Sequence, residues 1–503
     1  MKLPDTVRKL SRSDRGLQIV LLAFMALLYG VFLSDTGIHG PKVTLNLTFN
    51  SMLEHLARGQ FDVNPNIVHT EGFLRNGHVY AYWGITGALL RLPLLLFHRL
   101  DMDVTWWSCL VAVCIAGFMK IQTVLFLRRS CRAAPGSDAA FGLMLTYILF
   151  GGAEIAYLRS SIFQEVVFWA IAFAAIFVYL AIKGLVGGRF NAHSLSWMAL
   201  TAGLAVLTRV STGIGLYAAL GLLLLVLLAE ELRAGRTMLA RRILVPIGIM
   251  ATFLIAVATV NYFRWGNPAT FADYSLYLGN IHYPDRMVRT HLYGLFNLIR
   301  IPFGLLYYFF PIWFLQGADG RLLFESTQTR LMDNVELPPG SFFLTDLLPL
   351  AFIVLLAMAL WVRRRDLSRV LRTKGMCALF ENPMPSFRLS IAEGLALAVG
   401  LAAPCVLMLT AISMNYRYRM EFYPEFDLLA FLGLFATVTN PALLARFNRR
   451  RRWMLAALAV TILSAFAELF LYKLSYFGPS QELLRNGIVH FYIESFRQYM
   501  QLV

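Results

Sequence analysis

The sequence predicts an all-α, polytopic integral membrane protein with a large first external loop. Two observations carry this. Of 503 residues, 58% are hydrophobic and 15% charged, against about 25% charged in ordinary soluble domains. The apolar residues fall in runs near the roughly 20 residues a membrane helix needs, and short basic bursts separate the runs. From that spacing we expect about 11–13 transmembrane helices. The net charge of +16 is spread over these bursts rather than gathered in a basic domain. It therefore points to membrane topology and lipid headgroups, not to nucleic acid.

The chain begins with Lys2, Arg8, Lys9, Arg12 and Arg15, then an apolar run over 17–34. No small-residue cleavage site follows, so the run is expected to be a retained first helix with a cytoplasmic N-terminus. Further apolar runs lie at 81–98, 104–127, 139–156, 163–182, 194–208, 211–229, 243–260, 292–315, 344–362, 392–413, 424–440 and 453–472. Basic bursts fall at Arg128, Arg129 and Arg132; Lys183 and Arg189; Arg233 to Arg242; Arg363 to Lys374; and Arg446 to Arg452. If every run crossed, some bursts would lie outside. The runs 81–98 and 292–315 carry Arg91 with Pro93 and Arg300 with Pro302, which disfavours simple lipid-facing helices. Either these two are re-entrant or interfacial, or a boundary is misplaced.

The whole chain, 1–503, reads as a single membrane domain. It comprises the first helix (17–34), an external loop with an amphipathic helix (35–80), a transmembrane core (81–260), a second external region (261–343), C-terminal transmembrane helices (344–472) and an external amphipathic tail (473–503). Cys109, Cys114 and Cys405 lie in apolar runs, and Cys131 and Cys377 in basic segments. There is neither a disulfide framework nor a zinc spacing. Four histidines (His39, His55, His69, His78) share the first loop, at spacings that match no compact metal motif.

In the first external loop, Leu45, Phe49, Leu53 and Leu56 recur at helical spacing up to Gly59. Then come Glu71, the tight-turn pair Asn76-Gly77, and Tyr80, Tyr82, Trp83 and Gly84 before a Leu-Pro run at 92–93. A carboxylate and aromatics around such a turn would form an interfacial pocket. This pattern resembles the first external loop of the GT-C glycosyltransferase superfamily, polytopic enzymes that use lipid-phosphate-linked sugars and include protein O-mannosyltransferases and the aminoarabinose transferase for lipid A. Three later segments are similar to motifs of that family: 157–165 with Arg159 and Glu165, 261–268 with Arg264 and Pro268, and 416–424 with Arg417, Arg419, Glu421 and Pro424. Many members carry an acidic pair shortly after the first helix. The corresponding positions here are Val43 and Thr44, so that pair is absent.

The resemblance implies transfer of a sugar from a polyprenyl-phosphate donor to a glycan, lipid or protein acceptor, on the outer face of a bacterial inner membrane, in cell-envelope assembly. Such a displacement needs a carboxylate to deprotonate the acceptor and cations for the departing phosphate. No enzyme nucleophile, resident cofactor or metal ligand set is expected; divalent-metal dependence is left open. The candidate bases are Glu71 and Asp35. Arg159, Arg209, Arg417 and Arg419 are the candidates for the donor phosphate, and Glu165, Glu421 and Tyr82 for orienting the sugar or pairing with an arginine. Each has a plainer reading. Asp35 can cap a helix exit, Glu71 can be a solvated turn residue, and Glu165 can pair with Arg159. Arg209 can snorkel, and Arg417 can pair with Glu421 four residues on. Rival functions are a transporter or flippase using the same buried charges, though no internal repeat supports it, and a non-catalytic assembly subunit of the same fold.

Overall fold

The computed structural model describes residues 5–33, 44–131, 136–233, 239–282, 285–311, 330–333, 341–374 and 390–477. The described residues are almost wholly helical. In chain order the helices are α1 (Asp5–Leu33), α2 (Thr48–Ala57), α3 (Pro65–Val68), α4 (Thr86–Leu89), α5 (Leu92–Leu96), α6 (Thr105–Ser130) and α7 (Asp138–Phe150). They continue with α8 (Gly152–Ala156), α9 (Ile162–Gly187), α10 (Ala192–Val206), α11 (Val210–Arg233), α12 (Leu239–Trp265), α13 (Asp285–Tyr293) and α14 (Ile301–Phe309). The last are α15 (Phe342–Thr345), α16 (Leu347–Lys374), α17 (Ile391–Thr410), α18 (Tyr423–Thr439), α19 (Pro441–Arg449) and α20 (Arg451–Phe477). One hairpin, β1 (Phe73–Arg75) with β2 (His78–Tyr80), stands in the first loop.

Nine helical segments among the described residues are long and apolar enough to cross a membrane. The 15-residue α10 and the apolar stretch Leu347–Val362 of α16 pack in the same bundle. Nine and two make eleven, and if all eleven cross in alternation the described residues of the basic bursts fall at one end. The run at 81–98 is two short helices, α4 and α5, and the apolar part of 292–315 contains the short helix Leu298–Phe309. Neither is among the nine segments, so the parity conflict disappears.

The short elements are held by their arginines. Arg91 is 1% exposed and reaches across to Glu165 on α9, with Nη2–Oε2 at 2.8 Å. Ser108 Oγ also donates to that carboxylate and accepts from Trp169 Nε1 at 2.9 Å. Arg300 is fully buried and donates to the carbonyls of Leu331, Leu295, Thr410 and Gly294 at 3.0–3.2 Å. Buried arginines satisfied this way cost far less than unpaired ones.

Two ionic clusters sit inside the bundle. Lys120 of α6 pairs with Glu154 of α8 and with Asp427 of α18, the latter at 3.0 Å. Arg419 pairs with Glu468 of α20 at 2.5 Å and with Asp346 at 3.4 Å. Asp346 also accepts from the hydroxyls of Tyr147 and Tyr423 at 2.9 Å. Lipid cannot hydrate such groups, so they cross-link the helices that carry them. Elsewhere the helices meet through small residues. A β-carbon at Gly400 of α17 would collide with the backbone of Ala219 on α11, so glycine is what allows this close crossing.

Candidate functional site

The first loop folds as its pattern requires. Phe49, Met52 and Leu53 on one face of α2 are buried with Val63, Val68, Val79, Trp83 and Ile162. Asn76 and Gly77 both take positive φ, 51° and 79°, the backbone of a type I′ turn, and so place β1 against β2. Asp62 braces the hairpin by accepting from His55 Nδ1 and His78 Nδ1, each at 2.8 Å. Partial burial raises its carboxyl, but the two histidine hydrogen bonds and the nearby His55 outweigh this and hold it below its ordinary 3.8.

The hairpin joins the region that follows α12. Phe73 forms an antiparallel bridge with Tyr277, and Leu278 N donates to Gly72 O at 2.9 Å. Around the Phe73 ring stand Tyr82, Trp265, Tyr274 and Tyr277, with centroids 5.0–5.8 Å away. Arg264 fastens the base of this group by donating to Trp83 O at 2.8 Å. The segment after Tyr82 lies on the 207–208 turn: Thr86 N donates to Leu207 O at 3.2 Å. A β-carbon at Gly84 would strike that carbonyl, so glycine is needed there.

These contacts bring Glu71, at the end of the 3₁₀ turn His69–Glu71, beside two tyrosines and two arginines. Tyr277 sits between Glu71 and Arg286. Burial raises its hydroxyl to about 12, Glu71 adds to the rise and Arg286 opposes it. Tyr82 feels the charges of both Glu71 and Arg417. Burial pushes its hydroxyl well above 10.0, Arg417 works against this and Glu71 reinforces it. Arg417 rides over the ring of Phe163 at 4.5 Å and over Tyr418 at 5.8 Å. Arg286 lies over Tyr277 at 5.2 Å and holds the enclosed carboxylate of Asp333 at 2.6 Å. Ser413 donates to the same carboxylate at 3.2 Å. The result is a cluster of two carboxylates, Glu71 and Asp333, and the arginines Arg286 and Arg417 among aromatic faces, at the end of the bundle opposite the basic bursts.

The other expected residues are placed as follows. Arg209 pairs with Glu421, which also accepts from Ser211 and Thr212 at 2.7 and 2.6 Å; Arg209 also lies over Tyr418 at 5.5 Å. Glu421 is thus engaged by Arg209. Glu165 is engaged by Arg91. Arg159 lies on the 157–161 segment, where Tyr157 stacks on Tyr416 at 4.2 Å. Arg419 is fully buried and taken up by Glu468, Asp346 and Thr345. Asp35 and most of the expected tail, from 478 on, lie outside the described residues. Among the described residues, no group of three or more His, Cys, Asp or Glu is placed to hold a metal ion.

Comparison with solved structures finds two similar proteins over nearly the whole chain. One is the archaeal oligosaccharyltransferase AglB from Archaeoglobus fulgidus, in complex with an inhibitory peptide and a dolichol-phosphate (14% identity, TM-score 0.45, 92% of this chain). The chain spans 56% of that protein's length. The other is ArnT from Cupriavidus metallidurans bound to undecaprenyl phosphate (14% identity, TM-score 0.37, 97% of this chain and 76% of that one). No protein-family model matches the chain, and neither does any curated protein.

Sequence reasoning did not find Arg286, Tyr274, Tyr277 and Asp333. The Tyr274–Tyr277 spacing and the basic face of α13 were visible in the second external region. The partner of Arg286 is 47 residues away, and no local pattern announces a contact at that distance.

Proposed function

We propose that the protein is a GT-C-type membrane glycosyltransferase. It takes a sugar from a polyprenyl-phosphate donor and passes it to an acceptor on the outer face of a bacterial inner membrane, in cell-envelope glycan or glycolipid assembly. The observation that supports this reading is the aromatic cluster around Phe73, where Glu71 and Arg286 both engage Tyr277 and where Glu71 and Arg417 both act electrostatically on Tyr82, at the end of the bundle away from the basic bursts. By the positive-inside rule that end is external.

In this reading Glu71 removes the proton of the acceptor hydroxyl as its oxygen attacks the anomeric carbon. The bond from that carbon to the phosphate oxygen breaks, and the polyprenyl phosphate departs with the electron pair. Arg417 stabilises the phosphate as its charge grows, and Arg159 is the candidate second cation. Asp35 remains the alternative base. Arg286 and Asp333 fix Tyr277 beside Glu71. Arg209 and Glu421 fix the segment that carries Arg417, and Arg419 fixes that segment's far side. The internal charges of the bundle pair with one another, which favours cross-linking over a substrate path through the membrane.

The test is complementation of a chromosomal deletion, read as restoration of the envelope glycan. Glu71→Gln is expected to restore less than about 1% of wild-type transfer, the scale of losing a general base, at normal membrane abundance. Full complementation by both Glu71→Gln and Asp35→Asn would overturn the reading.

A further inference from the structure

At the basic end of the bundle, far from the external cluster, a cavity of about 490 Å³ opens between α6, α9 and α10. Its deep wall is apolar, formed by Met119, Phe126, Ile176 and Leu180. Its mouth carries Lys183, Arg189 and His193, all three exposed. No carboxylate lines it among the described residues. A second groove, of about 300 Å³, runs between α10 and α12 and is walled by Leu200, Ile249 and Phe253. The two share one residue, Trp197, which is 47% exposed.

We infer that this is a binding site for an anionic glycerophospholipid, with one acyl chain in each groove and the phosphate at Lys183, Arg189 and His193. The inference stands apart from the glycosyltransferase reading and needs only that the bundle lies in a membrane. Three features support it. Two apolar grooves that meet at a single residue match a lipid with two chains joined at its glycerol. Two cations at the mouth, with no carboxylate among the described lining residues, match an anionic headgroup, the arrangement by which basic pockets between membrane helices hold such lipids. The third feature is the local hydrogen bonding. Trp197 Nε1 donates to His193 Nε2 at 3.1 Å, which makes Nε2 the acceptor and leaves Nδ1–H as a donor. The indole is also where a tryptophan at the membrane–water boundary belongs. The mouth holds the N-terminus of α10, capped by Asn191 and Ser194; its dipole favours a phosphate there.

The test titrates the purified full-length protein in detergent with phosphatidylglycerol and with phosphatidylcholine, and reads bound lipid by native mass spectrometry. Phosphatidylglycerol is expected to be retained in preference. The double variant Lys183→Gln/Arg189→Gln is expected to weaken it about tenfold or more, with phosphatidylcholine unchanged. Arg128→Gln/Arg129→Gln removes two cations from the same end but outside the cavity lining, and is expected to leave retention as it was. A second readout needs no charge variant. Quenching of tryptophan fluorescence by chain-brominated phosphatidylglycerol is expected to fall when Trp197 is replaced by Phe. Equal retention of the two lipids, unchanged retention in Lys183→Gln/Arg189→Gln, quenching that ignores Trp197→Phe, or displacement of the lipid by inorganic phosphate alone would each overturn the site.

Discussion

Arg417 and Glu71 divide the proposed chemistry because their surroundings differ. Arg417 is spread over two aromatic faces, which orient its guanidinium. Lysine, a compact and strongly hydrated charge, would not replace it there. Asp62 has a different task, tying α2 to the hairpin through two imidazoles. Its carboxyl is held below 3.8 in the fold, so its stabilisation is complete above the unfolded value and is lost as pH falls through the folded one. Thermal melting of the protein in detergent is therefore expected to drop below about pH 4, and Asp62→Asn to remove that part of the drop. At this scale the sequence was partly legible. Glu71, Tyr82 and Arg417 were singled out by type and context, and Glu71 and Arg417 both act electrostatically on Tyr82. Glu165, Glu421 and Arg419 were also singled out, but they are consumed by Arg91, Arg209 and Glu468. Charge in an apolar run marks a residue as costly, and it does not say which distant residue offsets the cost.

Among the elements, the ion pairs inside the bundle decide how the external cluster is held. Arg91 and Glu165 fix α5 and its neighbours to α9, and both side chains are at most 1% exposed. Breaking the pair from one side leaves a buried charge and is expected to cost about 3–5 kcal/mol, whereas replacing both with apolar residues costs much less. Glu165→Leu should thus lower the melting temperature in detergent sharply, and Arg91→Leu/Glu165→Leu should recover most of it. A double variant no more stable than the worse single one would contradict this. Gly400→Leu is expected to force α17 off α11 and destabilise the bundle by several kcal/mol, as overpacking at a close crossing does. Most helices were legible from hydropathy alone, and so was the Asn76-Gly77 hairpin. The short elements at 81–98 and 292–315 were harder. Their composition is that of spanning helices, and only the buried Arg91 and Arg300, with the parity of the basic bursts, show otherwise.

For the whole molecule, an alternating path through eleven helices separates two chemistries. One end carries the basic bursts and the lipid grooves around Trp197; the other carries aromatics, a carboxylate and arginines. Cysteines introduced at Asn76 and at Arg450 report the separation. A membrane-impermeant maleimide applied to intact cells should label the first and spare the second, and the reverse labelling would invert the topology. The central claim is that the external cluster receives a polyprenyl phosphate at Arg417, and binding of undecaprenyl phosphate to the purified protein tests it most directly. The account predicts saturable binding that weakens about tenfold or more in Arg417→Gln, the scale of losing a charge-assisted contact, and stays unchanged in Glu71→Gln, which loses transfer but not donor. No saturable binding, or binding indifferent to Arg417→Gln, would contradict it.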